Sequence, residues 1–297
     1  MEKVSILHLI TAAKNASPFD VNMAFDAGFD KIMPYTTVML DEVAALTQDA
    51  IFSRSPSGVK KEAIFIGGRD ISLAIDMQVA AKEAMFGPFT ISTMTDPSGA
   101  FTTAGALLAK INQHLALGHS ALAKQTIAIF GASGTVGSTA ALIAAAHGAQ
   151  AQLVAHSSVK EMQAYADKLE KKYGYTFEVV DGTSDAAKTK VLQSATVAIT
   201  AAPVGVRVLD VKHYQGSSSL KVMADVNAVA PSGVEGLDAK YDGVLIPNTN
   251  VLGVGAMAIG QLKYVTQQKL LQQMLSDEKP VHLDFNHAFN IACVHSQ

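Results

Sequence analysis

TIAIFGASGTVGSTAALIAAAHG, residues Thr126 to Gly148, carries three elements in one run. Thr126 to Phe130 is a short apolar stretch of β character. A turn of small residues follows, with Gly131, Ser133, Gly134, Thr135, Val136 and Gly137. An Ala-rich segment then reaches His147 and stops at Gly148, the residue type that ends helices. Strand, glycine turn and helix in that order form a dinucleotide site. The first glycine permits the tight turn, and the middle one lets a pyrophosphate approach the backbone. The last lets helix and strand pack closely, with the helix N-terminus facing the phosphates. The spacing G-x-x-G-x-x-G is a variant of G-x-G-x-x-G. The same glycines also serve tight turns that hold no nucleotide; the strand and helix around them favour the dinucleotide.

Working outward, the length of 297 residues predicts two domains. Apolar residues make up 49% and charged residues 16%, which describes a globular protein with a large core. A net charge of −3 gives no electrostatic ground for nucleic acid or a membrane surface. The expected partner is a small molecule. Cys293 is the only cysteine, so no intrachain disulfide, thiolate metal site or other metal is expected. The opening MEKVSILHLI reads as a first strand and lacks the long apolar core and cleavage site of a signal peptide. No apolar run reaches membrane-span length. The expected location is the cytoplasm.

Upstream of the glycine turn, strands and helices alternate. Val4 to Ile10 is a strand, and Ser17-Pro18-Phe19-Asp20 starts a helix that ends by Gly28. Lys31 to Val38 is a weaker strand and Asp41 to Ile51 a helix. Ala63 to Ile66 is a strand, and Asp70 caps a helix to about Met85. Phe89 to Met94 leads into Asp96-Pro97-Ser98-Gly99 and a helix from Ala100 to Leu117. Gly118-His119-Ser120 breaks the pattern, and the domain change is placed there.

Downstream, strands are expected at Ala151–Ala155, Thr176–Val180, Thr196–Thr200, Lys221–Ala224 and Gly243–Ile246. Helices are expected at Val159–Lys172, Ser184–Gln193 and from Gly255 to Leu275. Repeated βα units predict an α/β protein of two doubly wound domains. The predicted division is 1–118, 119–275, and a C-terminal helix in 276–297 that packs back on the first domain.

Candidate chemistry sits at strand ends. An acid after the second strand of the glycine-turn domain would bind the ribose 2′-OH of NAD. This chain reads His156-Ser157-Ser158 there, with Lys160 beyond, and no acid. Hydroxyls, an imidazole and a cation suit a 2′-phosphate, so NADP is expected ahead of NAD. The alternative is that Ser157 caps the next helix and His156 is an ordinary surface histidine. Ala201 and Ala202 follow the fourth strand and fit a cofactor wall. Asn227 follows the fifth; it holds the nicotinamide amide or makes an Asx turn. Asp20 and Asp96 stand at helix starts, where each is a cap or the partner of a cationic, amidine-like ligand edge. Lys263 follows the small-residue run Gly253–Gly260, which permits close backbone approach, and is expected one helical turn in. It borders a cleft or is a solvated helix lysine.

SPFDVNMAFDAGFD (Ser17 to Asp30), IFIGGRD (Ile64 to Asp70), DPSGAFTTAGA (Asp96 to Ala106), IFGASGTVG (Ile129 to Gly137), DVNAVAPSGVEGLD (Asp225 to Asp238) and GVGAMAIGQLKYVTQ (Gly253 to Gln267) occur in that order. Together they resemble the methylene-tetrahydromethanopterin dehydrogenases of methylotrophic bacteria. The resemblance implies an N-terminal pterin-binding α/β domain and a Rossmann NAD(P) domain. It implies hydride transfer from the methylene carbon of methylene-tetrahydromethanopterin to NAD(P), in a homo-oligomer. It places Asp20 and the loop with Asp96, Ser98, Gly99 and Thr102 on the pterin side. Lys263 then becomes a catalytic or substrate-polarising residue, with Asp20 and Asp96 as the carboxylates beside the reacting centre. Of the two subfamilies implied, one is strictly NADP-dependent and the other accepts either cofactor. SPFDVNMA and DVNAV are similar to the second, while His156-Ser157 departs from both. The rivals are a methylene-tetrahydrofolate dehydrogenase using NADP and a non-catalytic NADP-binding regulatory protein. A short-chain alcohol dehydrogenase would want Tyr-x-x-x-Lys, which neither Tyr173 nor Tyr264 supplies.

Overall fold

The computed structural model of the protein describes residues 4–276 and 279–296. The chain divides into two compact units. The first contains the residues up to Thr102 together with Tyr264–Ile291. The second contains Thr103–Lys263 and the residues from Ala292 onward.

In the first unit, β1 (Ile6–Ile10) leads to α1 (Pro18–Ala27) and β2 (Lys31–Tyr35). Ser17 caps α1 by accepting from the Asp20 amide at 3.3 Å, and Gly28 ends it at φ +110°. Then come α2 (Val43–Phe52), the one-turn α3 (Pro56–Val59) and β3 (Glu62–Ile66). Next are α4 (Ile71–Glu83), β4 (Ser92–Thr95) and α5 (Ala100–Leu117). Asp70 caps α4, accepting from the amides of Ser72 and Leu73 at 2.8 and 3.0 Å. All five residues of β3 are buried, as expected of a central parallel strand covered on both faces.

The sheet order is β12-β4-β3-β1-β2. Every strand pair in it is parallel. Ile10, Ile64 and Ile66 of the sheet pack with Val43 and Ile51 of α2 and Met77 of α4 in one core. Glu62, 3% exposed, is tolerated there because its oxygens meet His8 Nε2 and Arg54 Nε, each at 2.6 Å.

In the second unit, β5 (Thr126–Phe130), α6 (Thr135–Ala146), β6 (Gln150–Ala155), α7 (Val159–Tyr173) and β7 (Glu178–Asp181) follow α5. Then come α8 (Asp185–Ser194), β8 (Val197–Thr200), the short α9 (Val211–Tyr214) and β9 (Val222–Asp225). The hairpin of β10 (Asp242–Leu245) and β11 (Leu252–Val254) precedes α10 (Ala256–Ser276). The sheet order is β10-β11-β9-β8-β5-β6-β7. Its last six strands run parallel in the order 3-2-1-4-5-6 of dinucleotide-binding sheets, with β5 first. The chain ends with β12 (His282–Leu283) and α11 (Phe285–His295). β12 pairs in parallel with β4, and Gln78 fastens it by donating to the Leu283 carbonyl at 2.9 Å.

The structure departs from the sequence-based expectations in five places. The unit boundaries fall at Thr102/Thr103 and Lys263/Tyr264, not at residues 118 and 275. Gly118 ends α5, a continuous helix shared between units, so the local break marks a helix terminus only. The strand expected at Gly243–Ile246 is present as β10, Asp242–Leu245, but it runs antiparallel at the edge of the sheet. The sixth parallel strand is β11, three residues with Gly253 inside, which gives almost no strand signal. Ser158 rather than Ser157 caps α7, accepting from Glu161 N at 3.2 Å. Lys263 lies eight residues into α10, two turns rather than one. The part of the 276–297 expectation that falls on residues 277, 278 and 297 lies outside the described residues.

Candidate functional site

The glycine turn does in three dimensions what its spacing demands. Gly131 is left-handed at φ +81°, and a Cβ there would stand 2.5 Å from the Ala201 carbonyl oxygen. A Cβ at Gly137 would overlap the Gly131 carbonyl, so helix α6 and strand β5 meet backbone to backbone. Gly134 is the N-cap of α6 and brings no side chain to the cap. The first-turn amides and the positive end of the helix therefore face outward.

Above this cradle lies a cavity of about 620 Å³. Gly131, Ser133, Gly134, Thr135 and Val136 form one wall, and Ala201 and Ala202 after β8 form another. His156, just after β6, lines it as well. The cavity is large enough for an extended ligand. A glycine cradle that any Cβ would fill, set at a helix N-terminus, fits a dinucleotide pyrophosphate.

Other sequence-derived residues are placed elsewhere. Gly137 acts through packing. Ser157, Ser158 and Lys160 are not in the cavity wall, and the Ser158 hydroxyl is occupied by the α7 cap. Asn227 makes the Asx turn: its Oδ1 accepts from Val229 N at 3.0 Å and its Nδ2 donates to the Pro231 carbonyl at 3.2 Å. Its neighbour Val226 faces the cavity instead. Asp225, 2% exposed, supports this loop by accepting from Thr200 Oγ1, Gly233 N and Asn227 N at 2.8, 2.6 and 3.1 Å. Burial pushes the Asp225 carboxyl above its ordinary value, against the lowering effect of those bonds.

The sequence reading missed Gly182, Thr183, Lys188 and Arg207 in the same wall. Thr183 follows β7 and Lys188 is in the first turn of α8, so only the strand order brings them to the cavity.

In the first unit, the carboxylates gather at the carboxyl ends of β1, β3 and β4. Asp20 is not the α1 cap. Its Oδ1 accepts from Gln267 Nε2 at 2.9 Å, and both residues are buried. Its other oxygen lies 4.0 Å from the position a Gly67 Cβ would take. Asp96, fully buried, caps α5: Oδ1 accepts from the amides of Phe101 and Thr102 at 2.9 and 3.2 Å. Its Oδ2 accepts from Thr102 Oγ1 at 2.6 Å.

Ser98 is exposed at φ +54°, and its hydroxyl donates to the Gly68 carbonyl at 2.8 Å. Gly99 is buried beside it at φ +67°. A smaller cavity of about 210 Å³ opens between the ends of β1 and β3, lined by Ala12, Ala13, Gly67, Gly68, Arg69 and Asp70 among others. Strand order reverses between those two strands, the place where ligands enter open α/β sheets. Lys263 is half-buried on α10. The small-residue run before it serves internal packing: a Cβ at Gly255 would overlap the carbonyls of Asp238 and Ala239. Among the described residues no group of three or more His, Cys, Asp or Glu is arranged to hold a metal. No described helix is long and apolar enough to cross a membrane.

Residues 18–98 match the family model described as methylene-tetrahydromethanopterin dehydrogenase, N-terminal. The chain is 41% identical over 289 residues to the NAD(P)-dependent methylenetetrahydromethanopterin dehydrogenase of Methylorubrum extorquens, covering 97% of each. It is 31% identical over 265 residues to the bifunctional protein MdtA of the same organism, covering 89% of this chain and 90% of that one. Among solved structures, ornithine transcarbamoylase from Giardia lamblia aligns with a TM-score of 0.54 at 10% identity. That alignment covers 94% of this chain and 88% of that one, a likeness of fold alone. With 41% identity across nearly the whole length, the chain belongs to the NAD(P)-dependent methylenetetrahydromethanopterin dehydrogenase family.

Proposed function

We propose that this protein oxidises methylene-tetrahydromethanopterin to the methenyl form, with NADP preferred over NAD as hydride acceptor. The observation that carries the reading is the full-length match to a dehydrogenase named for that substrate. The glycine cradle over a 620 Å³ cavity supplies a matching cofactor site. Bound there, NAD(P) would supply the hydride acceptor. The chain's own residues have the tasks of orientation and electrostatics. The first-turn amides of α6 hold the pyrophosphate, and Ala201 and Ala202 give a flat wall without competing polar groups.

Hydride loss leaves an amidinium cation, stabilised by resonance, and no base is required. Asp20 is the carboxylate best suited to face that charge, because one of its oxygens lies beside Gly67, which lines the cavity of the first unit. Asp96 holds the loop that presents Ser98 and Gly99. Lys263 polarises or positions the pterin. Preference for NADP is supported by the stretch after β6, where His156 lines the cavity and no acid is present to repel a 2′-phosphate. The same reading takes the enzyme as a cytoplasmic homo-oligomer in one-carbon metabolism.

The test is absorbance at the reduced-nicotinamide band with purified protein. NADP and NAD are each paired with methylene-tetrahydromethanopterin or methylene-tetrahydrofolate. Reduction with the methanopterin, faster with NADP, is the expected result. Reduction only with the folate moves the enzyme to that carrier, and silence in all four mixtures removes the catalytic reading. Lys263→Ala is expected to cut turnover while leaving NADP binding unchanged; unaltered turnover removes Lys263 from the site.

A further inference from the structure

The cavity at the glycine turn contains two cations that the sequence leaves unassigned, Lys188 and Arg207. Lys188 is half-buried in the first turn of α8. Its Nζ donates to the Val208 carbonyl at 2.9 Å, which fixes the ammonium and leaves two of its three donors for a ligand. Arg207 donates Nε to the Ser232 carbonyl at 2.7 Å. Neither cation has an acidic partner among the described residues. The cavity wall contains no Asp or Glu at all. Asp185, three residues before Lys188, is outside the wall and meets Lys212 and His213 instead, and Asp181 at the end of β7 is outside it as well. Its Oδ1 accepts from Thr183 N and Oγ1 at 2.9 and 2.8 Å, and those bonds hold its carboxyl below the ordinary value.

The two cations come from different elements, although the Lys188 ammonium is held at Val208, the residue after Arg207. His156, Gly182, Thr183 and Lys188 follow the second and third strands of the 3-2-1-4-5-6 order, the half of such a sheet that receives adenosine. Arg207 follows the fourth strand and is tied to the segment after the fifth, the nicotinamide half. The pyrophosphate already has the α6 amides. What remains without a counter-charge in the adenosine half is the 2′-phosphate of NADP. The adenine ring carries no charge to match an unpaired ammonium. A dianionic phosphate does, and in a partly enclosed wall free of carboxylates that attraction is weakly screened.

We propose that Lys188, from the helix after the third strand, is the residue that recognises the 2′-phosphate, with His156 beside it. The proposal rests on the dinucleotide reading above and deepens it: discrimination between NADP and NAD is moved from the end of β6 to the first turn of α8.

Calorimetric titration of the full-length protein with adenosine 2′,5′-bisphosphate and with adenosine 5′-monophosphate tests it without turnover. The wild-type protein binds the bisphosphate more tightly. Lys188→Gln loses roughly ten- to hundredfold of that affinity, the scale of a hydrogen bond to a charged group, and binds the monophosphate as before. Lys188→Arg retains most of the bisphosphate affinity, and Arg207→Gln loses less of it than Lys188→Gln. Unchanged monophosphate binding also certifies the fold; should Lys188→Gln not fold, Lys188→Met keeps the stem and carries the same expectation. Equal loss for both nucleotides, no loss, or a selective loss in Arg207→Gln instead overturns the role of Lys188. A wild-type protein that binds neither nucleotide overturns the dinucleotide reading itself.

Discussion

The two units share an architecture and differ in the charged side chains that line the cavities at the carboxyl ends of their strands. Each is built on parallel strands, with one antiparallel edge strand in the second, and each opens a cavity at those ends. In the second unit β7 and β9 end in acids, Asp181 and the buried Asp225, but neither lines the cavity, whose wall has Lys188 and Arg207, without acidic partners among the described residues, and no carboxylate. In the first unit Asp20 and Asp96 are buried at the strand ends, and Asp70 rims the cavity. On the proposed reading the sheet of the second unit receives an anion and that of the first a ligand with a cationic or amidine-like edge, although Arg69 also lines the cavity of the first unit. The fold alone does not choose: ornithine transcarbamoylase has a similar arrangement at 10% identity. Chemistry is assigned by what fills the few positions after each strand.

The sharpest way to break the contrast is to fill the cradle. Gly131→Ala adds a Cβ against the Ala201 carbonyl and forces an L side chain to φ +81°. The expected cost is roughly 2–4 kcal/mol of stability together with loss of dinucleotide binding. Thermal melting and nucleotide titration read the two effects separately. A variant that melts with the wild type and binds NADP would mean the backbone relaxes and the cradle is not rigid.

The carboxylates of the first unit come next, and they are expected to split. Asp96→Asn replaces an oxygen that accepts from Thr102 Oγ1 with an amide donor, inside a site with no exposure. The loss is about 2–3 kcal/mol, on the scale of a buried cap, and is read as a lowered melting temperature. Turnover of the protein that remains folded stays close to wild type. Asp20→Asn is expected to do the reverse. It keeps an acceptor for Gln267 Nε2 and removes the charge that opposes the developing amidinium. Turnover with methylene-tetrahydromethanopterin falls about tenfold or more for a lost electrostatic contact, while stability changes little. If Asp96→Asn is the one that is stable and slow, their roles are exchanged.

What was legible in the sequence follows a physical rule. A glycine that must be left-handed or must let two backbones touch has no substitute, so Gly131 and Gly137 mark from spacing alone the unit proposed to hold the cofactor. Caps are nearly as local: Ser17 and Asp70 are chosen by the first turn of the helix they start. Residues whose role depends on strand order are not written locally. Lys188 looks like any helix lysine until β7 is seen beside β6. Asn227 looks equally suited to an amide ligand and to an Asx turn, and only the position of Val229 and Pro231 decides. Gln267 closes the last stretch of family resemblance, yet its partner is 247 residues away. β11 is too short and too glycine-rich to show, although it completes the parallel order.

The smallest effect tests whether every glycine in a quoted motif is needed. Gly260 belongs to the same small-residue run as Gly255, and the two environments are opposite. A Cβ at Gly255 would overlap two carbonyl groups, whereas nothing lies within 4 Å of a Cβ at Gly260. Gly260 is exposed, lies inside α10, and its φ is not in the left-handed range. Gly260→Ala is therefore expected to stabilise the protein by about 0.5–1 kcal/mol, through helix propensity and a less flexible unfolded chain. Chemical denaturation reads it as a higher midpoint at an unchanged slope. Stability with unchanged kinetics makes Gly260 a passenger of the motif. A fall in pterin affinity or turnover would show that the open space beside Gly260 is used by the substrate, and would extend the site along α10 towards Lys263.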